Sequence, residues 1–159
     1  MSVATTVRYA LSLTRVDYEI LRHAHTASSA ETAREAHVDP CCLAKAVVLK
    51  DHIGYLLTVV PASEKLDMER VRTALHRPML DLVPEDELDE VFYDCEVGSV
   101  PPLGPEYRVP TVVDPALRGV DDVYFEAGDH EKLVHVDQTS FRRLMRGAEY
   151  LGIAATRDD

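Results

Sequence analysis

The sequence predicts an α+β domain, because segments with strand and hairpin patterning alternate with segments of helical periodicity along its 159 residues. Two apolar runs rich in Val and Leu, 45–50 and 55–60, flank a short polar turn and predict a β-hairpin. A second hairpin joins 123–125 to 133–136, and 111–114 reads as a further strand. Interspersed hairpins and helices favour α+β over a regular βαβ array.

Helices are predicted where a capping residue precedes apolar residues at helical spacing. Ser28 and Glu31 have the spacing of a capping box, so a helix is expected to continue from there to about residue 37. Asp67 caps a helix whose apolar stripe faces the sheet, and Pro84 opens a short helix over 85–91. A closing helix follows Asp137 and carries Phe141, Leu144, Met145 and Ala148. Residues 155–159 are expected to fray.

Composition limits the classes of function. The chain is 46% hydrophobic, enough for the core of one domain, and shows neither a signal-peptide pattern nor a run long enough to span a membrane. Its three cysteines have no disulfide or CxxC pattern, so we expect a reducing, cytoplasmic setting. A net charge of −11 argues against a general DNA or RNA binder, so any RNA contact must be local. Two arginine clusters are the candidates for such a contact: Arg142, Arg143 and Arg146, or Arg70, Arg72 and Arg77.

A loop bracketed by Gly98 and Gly104 is the strongest candidate site. It contains Pro101 and Pro102, which fix backbone angles, while its glycines permit close approach of a ligand, so its amides are expected to face an oxygen. Lys45 starts an otherwise apolar run and needs a partner or a route to water. A cation beside such a loop suits an acyl-transfer or hydrolysis site that stabilises developing negative charge. In the alternative interpretation, the glycine loop only connects two elements, and Lys45 lies at a strand end with its ammonium group in solvent.

The sequence predicts neither a metal centre nor a serine hydrolase. No Cys or carboxylate spacing completes a metal set with His23 and His25, and the G-x-S-x-G elbow is missing. Ser99 lies in the glycine loop, where its alternative role is to hydrogen-bond the backbone of a turn. His130 lies in the predicted second hairpin turn, either as a pocket residue or as a solvated turn residue. We expect no metal and no cofactor.

Five segments in one order carry a family resemblance. They are LAKAVVLKD with Lys45, the strand GYLLTVVP, the helix LDMERVRTAL, the loop GSVPPLG and the late strand VYFEAG. The chain resembles the YbaK/ProX aminoacyl-tRNA deacylase family over about residues 17–146, the expected core of a single domain spanning 1–159. The resemblance implies an α+β fold with a mixed, largely antiparallel, partly barrel-like sheet.

The resemblance also implies a function. Members are related to the editing domain of prolyl-tRNA synthetase and hydrolyse the ester of a mischarged tRNA, here one carrying a small amino acid, with tRNA-Pro as a candidate. Lys45 would anchor the aminoacyl-tRNA end, and the loop would orient the scissile carbonyl. Water would attack, assisted by the terminal ribose hydroxyl and without a protein nucleophile. The expected partners are the tRNA acceptor end and either a prolyl-tRNA synthetase or an elongation-factor complex. The implied catalytic residues are Lys45, Gly98, Ser99 and Val100, and the implied substrate-binding residues are Ala46, Pro101, Pro102, Gly104 and His130.

One position departs from the best-known branches of that family. Ala46 stands where the alanine-specific branch carries an asparagine and other branches commonly a threonine, which leaves the substrate open. His130 resembles a turn histidine of the alanine-specific branch. Two other readings remain: a non-catalytic module that binds a small ligand or the aminoacyl-tRNA end, and a protein-interaction domain with a purely structural glycine loop.

Overall fold

The structure is a computed structural model that describes residues 3–24, 26, 28–96 and 99–156. Its α-helices are α1 (Thr5–Thr14), α2 (Ser29–Glu35), α3 (Met68–Leu75) and α4 (Gln138–Leu144). Its strands are β1 (Glu19–Arg22), β2 (Leu43–Lys50), β3 (Tyr55–Pro61), β4 (Glu64–Leu66), β5 (Asp81–Leu82), β6 (Thr111–Val113), β7 (Asp122–Glu126), β8 (Lys132–Asp137), β9 (Glu149–Tyr150) and β10 (Ala154–Thr156). Four 3-10 helices span Pro40–Cys42, Glu85–Glu90, Gly104–Tyr107 and Pro115–Arg118.

The main sheet is mixed, in the order β1-β8-β7-β2-β3-β6-β9, with β5 added to the end of β2. The β1/β8, β7/β8, β2/β3 and β2/β5 pairs are antiparallel, while β2/β7, β3/β6 and β6/β9 are parallel. A separate antiparallel pair joins β10 to β4. The predicted α+β class with a mixed, largely antiparallel sheet is therefore confirmed.

Both predicted hairpins form. In the first, β2 and β3 pair from Ala44 opposite Pro61 to Lys50 opposite Tyr55. In the second, β7 and β8 pair from Asp122 opposite Asp137 to Glu126 opposite Leu133. Strand register places alternate residues of β2 on opposite faces, so Ala44 belongs to the main core while Leu43 belongs to a smaller cluster under α2.

Caps fix the helices where the sequence predicts them. The side chains of Ser28, Asp67 and Asp137 each accept a hydrogen bond from the backbone amide three residues on. Helices α1 and α4 cover the main core, in which Phe125 and Phe141 are fully buried. Helix α3 covers a second cluster on the sheet. Among the residues described, no helix is long and apolar enough to cross a membrane.

The structure corrects several element boundaries. The helix expected over 85–91 is a 3-10 helix, because i to i+3 bonds such as Glu87 N to Pro84 O form there. The last helix stops at Leu144 and does not reach Ala148, since the chain turns through Gly147 with φ at +97°. Residues 155 and 156 belong to β10, whereas 157–159 lie outside the described residues. Helix α1 and strand β1 were not predicted.

Candidate active site

A pocket of about 270 Å³ opens beside the start of β2. It brings together four parts of the chain: the start of α2, strand β2, the loop before Gly104 and the end of β7. Its lining residues are Ser28, Ser29, Leu43, Ala44, Lys45, Ala46, Val100 and Glu126. Lys45, Ala46 and Val100, which the sequence analysis selects from two distant segments, therefore line one cavity.

The pocket lies where the pairing of β2 with β7 ends. Those strands pair only through Leu43 with Tyr124 and Ala44 with Phe125. Lys45 and Glu126 are the next residues on each strand, so the parallel register brings the strand positions of a cation and a carboxyl to the same pocket. Lys45 is half-buried, in keeping with an apolar stem and a polar end at a cavity.

Val100 contributes the wall of the pocket from the glycine loop. Gly98, the first loop residue predicted to be catalytic, lies outside the described residues. Ser99 is fully buried, and both its amide (3.1 Å) and its hydroxyl (2.8 Å) donate to the Glu96 carbonyl. These contacts are those of a residue that stabilises a turn, which is the alternative role considered for Ser99. Among the described residues, Ser99 does not line the pocket.

Hydrogen bonds on both sides hold this loop in place. Asp94 accepts from the Tyr107 hydroxyl at 2.7 Å and from the Thr6 amide at 2.8 Å, which connects the start of the loop to α1 and to the 3-10 helix after it. The Glu96 amide donates to Gly128 O at 2.8 Å in the turn between β7 and β8. The loop is thus positioned by three separate elements, as a preorganised site requires.

Gly104 is required by packing against the sheet. A Cβ at this position would lie 1.8 Å from Thr111 Oγ1 and 3.1 Å from Leu57 Cδ2. Pro101 and Pro102 are buried with it. Within the described part of the chain, none of these three residues lines the pocket. Their role in substrate binding stays a prediction, and their burial shows that they pack the loop against the rest of the domain.

His130 lies in the turn between β7 and β8, as predicted. It has the left-handed backbone angle φ of +61° and a half-buried side chain. The preceding residue, Asp129, is buried, pairs with Lys132 at 2.7 Å and accepts two backbone amides at 3.0 Å. His130 is not one of the described residues that line the pocket. Its turn nevertheless contacts the glycine loop, because Gly128 O accepts the Glu96 amide.

Sequence reasoning missed Glu126, Ser28 and Ser29 as pocket residues. Burial raises the pKa of the Glu126 carboxyl to about 7; the negative charge of Asp129 adds to the rise, and a hydrogen bond from Thr32 opposes it. The available signal was a carboxylate directly after the apolar segment Val123–Phe125, comparable to the position of Lys45 directly before an apolar run. A titratable group shifted toward neutral pH in a cavity is a mark of functional sites.

The cysteines are poor nucleophiles here. A hydrogen bond with Asp39 is the largest cause that raises the pKa of Cys41 to about 12, and burial is the largest cause that raises that of Cys95 to about 12. Within the described ranges, no group of three or more His, Cys, Asp or Glu side chains is arranged to hold a metal ion.

The two arginine clusters differ in their surroundings. Arg77 pairs with Asp51, and Arg72 donates to Leu80 O at 2.9 Å, so the earlier cluster supports local structure. Arg143 and Arg146 are exposed and, with Arg15, line a separate surface cavity of about 390 Å³. The later cluster is the better placed of the two for an RNA phosphate.

Both the sequence and the fold are similar to known proteins. The model of the aminoacyl-tRNA editing domain matches residues 23–144. No protein with a curated description matches the sequence. Among solved structures, a scaffold protein from work on computational grafting of epitope backbones has a TM-score of 0.84 at 18% identity, covering 99% of each chain. A proposed trans-editing enzyme for prolyl-tRNA synthetase has a TM-score of 0.81 at 22% identity, covering 98% of each chain.

A proposed signal-transduction protein from Marinobacter aquaeolei VT8 has a TM-score of 0.78 at 21% identity. The alignment covers 97% of this chain and 31% of that one, so the same fold also occurs as part of a longer protein. These similarities to solved structures establish the fold. The family match extends over most of the sequence, and the chain therefore belongs to the aminoacyl-tRNA editing domain family.

Proposed function

We propose that this protein is a trans-editing deacylase that hydrolyses the ester bond joining a wrong, small amino acid to tRNA, with tRNA-Pro as a candidate. The observation that carries the proposal is the shared pocket of Lys45 and Val100, which joins a cation to the glycine loop in a member of the editing-domain family. The carboxyl carbon of an aminoacyl ester is already activated, so positioning and charge stabilisation suffice for hydrolysis.

The reaction needs no nucleophile from the protein. Water forms the new bond to the carbonyl carbon, the bond to the ribose oxygen breaks, and the leaving ribose oxygen takes a proton. The neighbouring ribose hydroxyl of the substrate assists this proton movement. Lys45 holds the negative charge of the aminoacyl-tRNA end, and the backbone of the loop from Gly98 to Val100 orients the carbonyl.

Editing also explains why a small pocket is useful. A synthetase distinguishes amino acids that differ by one methylene by only about 1 to 3 kcal/mol, so a second hydrolytic site improves accuracy. Ala46 and Val100 give the cavity of about 270 Å³ two apolar lining residues, against which a small apolar side chain would pack. The acidic chain would recognise tRNA locally at its acceptor end, with a synthetase or elongation-factor complex supplying further contacts.

The test is deacylation of a panel of Ala-, Cys-, Ser- and Thr-tRNA by the wild type and Lys45→Ala. We expect wild type to release one or more amino acids and Lys45→Ala to lower kcat/KM by about 10²- to 10³-fold, the size typical for removing one charge-stabilising donor. Lys50→Ala is the matched control on the same strand, because Lys50 is exposed and pairs with Glu87. Equal rates for wild type and Lys45→Ala would refute the role of Lys45.

A second candidate is a non-catalytic module that binds the aminoacyl-tRNA end. It is favoured by one observation: the Ser99 amide already donates to Glu96, which removes one donor for a substrate carbonyl. This candidate predicts tRNA-end binding that Lys45→Ala weakens, with no release of any amino acid. Measured turnover therefore separates the two functions.

A further inference from the structure

Glu126 presents a buried carboxyl oxygen to the candidate pocket. Its Oε1 accepts a hydrogen bond from Thr32 Oγ1 at 3.3 Å. Its Oε2 is buried and has no hydrogen-bond partner among the residues that the structure describes. A buried carboxylate oxygen without a donor is unfavourable, so such an atom at a cavity calls for a ligand that donates hydrogen bonds.

The charges around Glu126 favour a cationic ligand at that oxygen. Asp129, on the turn that follows β7, adds a negative charge, although Lys132 pairs with it at 2.7 Å. Thr32, from α2, supplies a neutral hydroxyl. Lys45, from β2, adds a positive charge to the lining of the same pocket. The pocket therefore offers a positive group and a carboxyl group to one ligand that carries both an anionic and a cationic part.

Building on the proposed deacylase function, we propose that Glu126 binds the free α-ammonium group of the aminoacyl ester and so selects substrates with an unblocked amino group. An α-ammonium supplies hydrogen-bond donors and a positive charge to the unpaired Oε2. An aminoacyl ester anchored at its cation by Glu126 and at its anionic end by Lys45 has its carbonyl held between the two. Peptidyl-tRNA and N-acetyl-aminoacyl-tRNA lack this cation and are poor substrates.

Binding is coupled to a proton in this arrangement. Because burial holds the pKa of Glu126 near neutrality, the empty pocket retains a proton on part of the molecules at pH 7. The bound ammonium favours the carboxylate, so that proton leaves to solvent as the ligand enters. Glu126 acts here on substrate binding and orientation, and its loss is expected to change KM more than kcat.

The experiment compares the tRNA that wild type deacylates with the same tRNA after N-acetylation. We expect wild type to prefer the free amino group by tenfold or more in kcat/KM. Glu126→Gln loses that preference by raising KM for the free-amino substrate, and it treats the N-acetyl substrate as wild type does. Glu131→Gln is the matched control, because Glu131 is an exposed carboxylate in the adjoining turn. A preference that persists in Glu126→Gln overturns the inference, as does an equal loss of kcat on both substrates.

A binding measurement separates this inference from the proposed function. The probe is 3′-alanylamino-3′-deoxyadenosine, whose amide resists hydrolysis, studied by calorimetry in two buffers with different ionisation enthalpies. Release of protons on binding to wild type and its loss in Glu126→Gln support the inference even if no tRNA in the panel is deacylated. Deacylation without any dependence on the amino group would refute the inference alone, leaving the proposed function standing.

Discussion

Gly104 offers a stringent test of how the loop is held against the sheet. In Gly104→Ala, the new Cβ would lie 1.8 Å from Thr111 Oγ1, where ordinary contacts begin at 3.4 Å. The Thr111 hydroxyl cannot turn away freely, because it donates to Val109 O at 2.8 Å, and the Val109 amide donates back to Gly104 O at 2.9 Å. The substitution must either break the hydroxyl bond or displace the 3-10 helix.

The magnitude follows from those two routes. Losing a buried hydrogen bond costs about 1 kcal/mol and overpacking typically adds about 1 to 3, so we expect Gly104→Ala to lower the free energy of unfolding by about 2 to 4 kcal/mol. For a domain of this size, each kcal/mol lowers Tm by about 2 to 4 °C. Urea unfolding followed by circular dichroism measures the first quantity, and a thermal scan measures the second.

Two further variants make this prediction refutable. Gly152→Ala is the matched control, because nothing lies within 4 Å of its Cβ, and its effect should stay within about 0.5 kcal/mol. Thr111→Ala removes the oxygen that a Cβ at Gly104 would meet, so the double variant should lose less stability than the two single losses added together. If Gly104→Ala unfolds at the same urea concentration as Gly152→Ala, the packing argument is refuted.

Three other predictions concern charge. The native protein binds the Glu126 proton more tightly than the unfolded chain does, so the free energy of unfolding falls by roughly 3 kcal/mol as pH rises from 4.5 through about 7. Urea unfolding at pH 5 and pH 8 measures this fall in the wild type, and the fall should be absent in Glu126→Gln. Asp114→Ala should lower the free energy of unfolding by about 3 kcal/mol, because Asp114 Oδ2 accepts hydrogen bonds from the amides of Ile153 and Ala154 at 2.9 Å each. A loss of only ~1 kcal/mol in urea unfolding, which is typical for removing an exposed helix cap, would contradict this prediction. Arg146→Gln should weaken tRNA binding and reduce the salt slope of that binding by about one, whereas Arg142→Gln should not, because Arg142 lies on α4 outside the arginine-lined cavity. Equal slopes for the two variants in filter binding would exclude a phosphate contact at Arg146.

The elements predicted correctly were those with a strong local signal. The β2/β3 hairpin has two apolar runs around a polar turn. Helix α3 has a capping aspartate followed by apolar residues at helical spacing, of which Val71 is fully buried. The unpredicted strands depend on distant partners. Strand β1 is mostly exposed and exists because it pairs with β8, and β10 exists because it pairs with β4. Short strands of this kind have little local signal, since their backbone hydrogen bonds are supplied from elsewhere in the chain.

The sequence by itself determined the α+β class, the capped helices and the choice of Lys45 and the glycine loop, because local periodicity and residue chemistry carry that information. The resemblance to a known family added Ala46 and Val100 as site residues. Only the tertiary structure decided which candidates share a cavity. It placed Glu126 in the same pocket as Lys45, because the parallel pairing of β2 with β7 brings together residues 81 positions apart. It also directed Ser99 to Glu96 and Gly104 to Thr111, because burial requires partners for polar groups and allows no space for a Cβ.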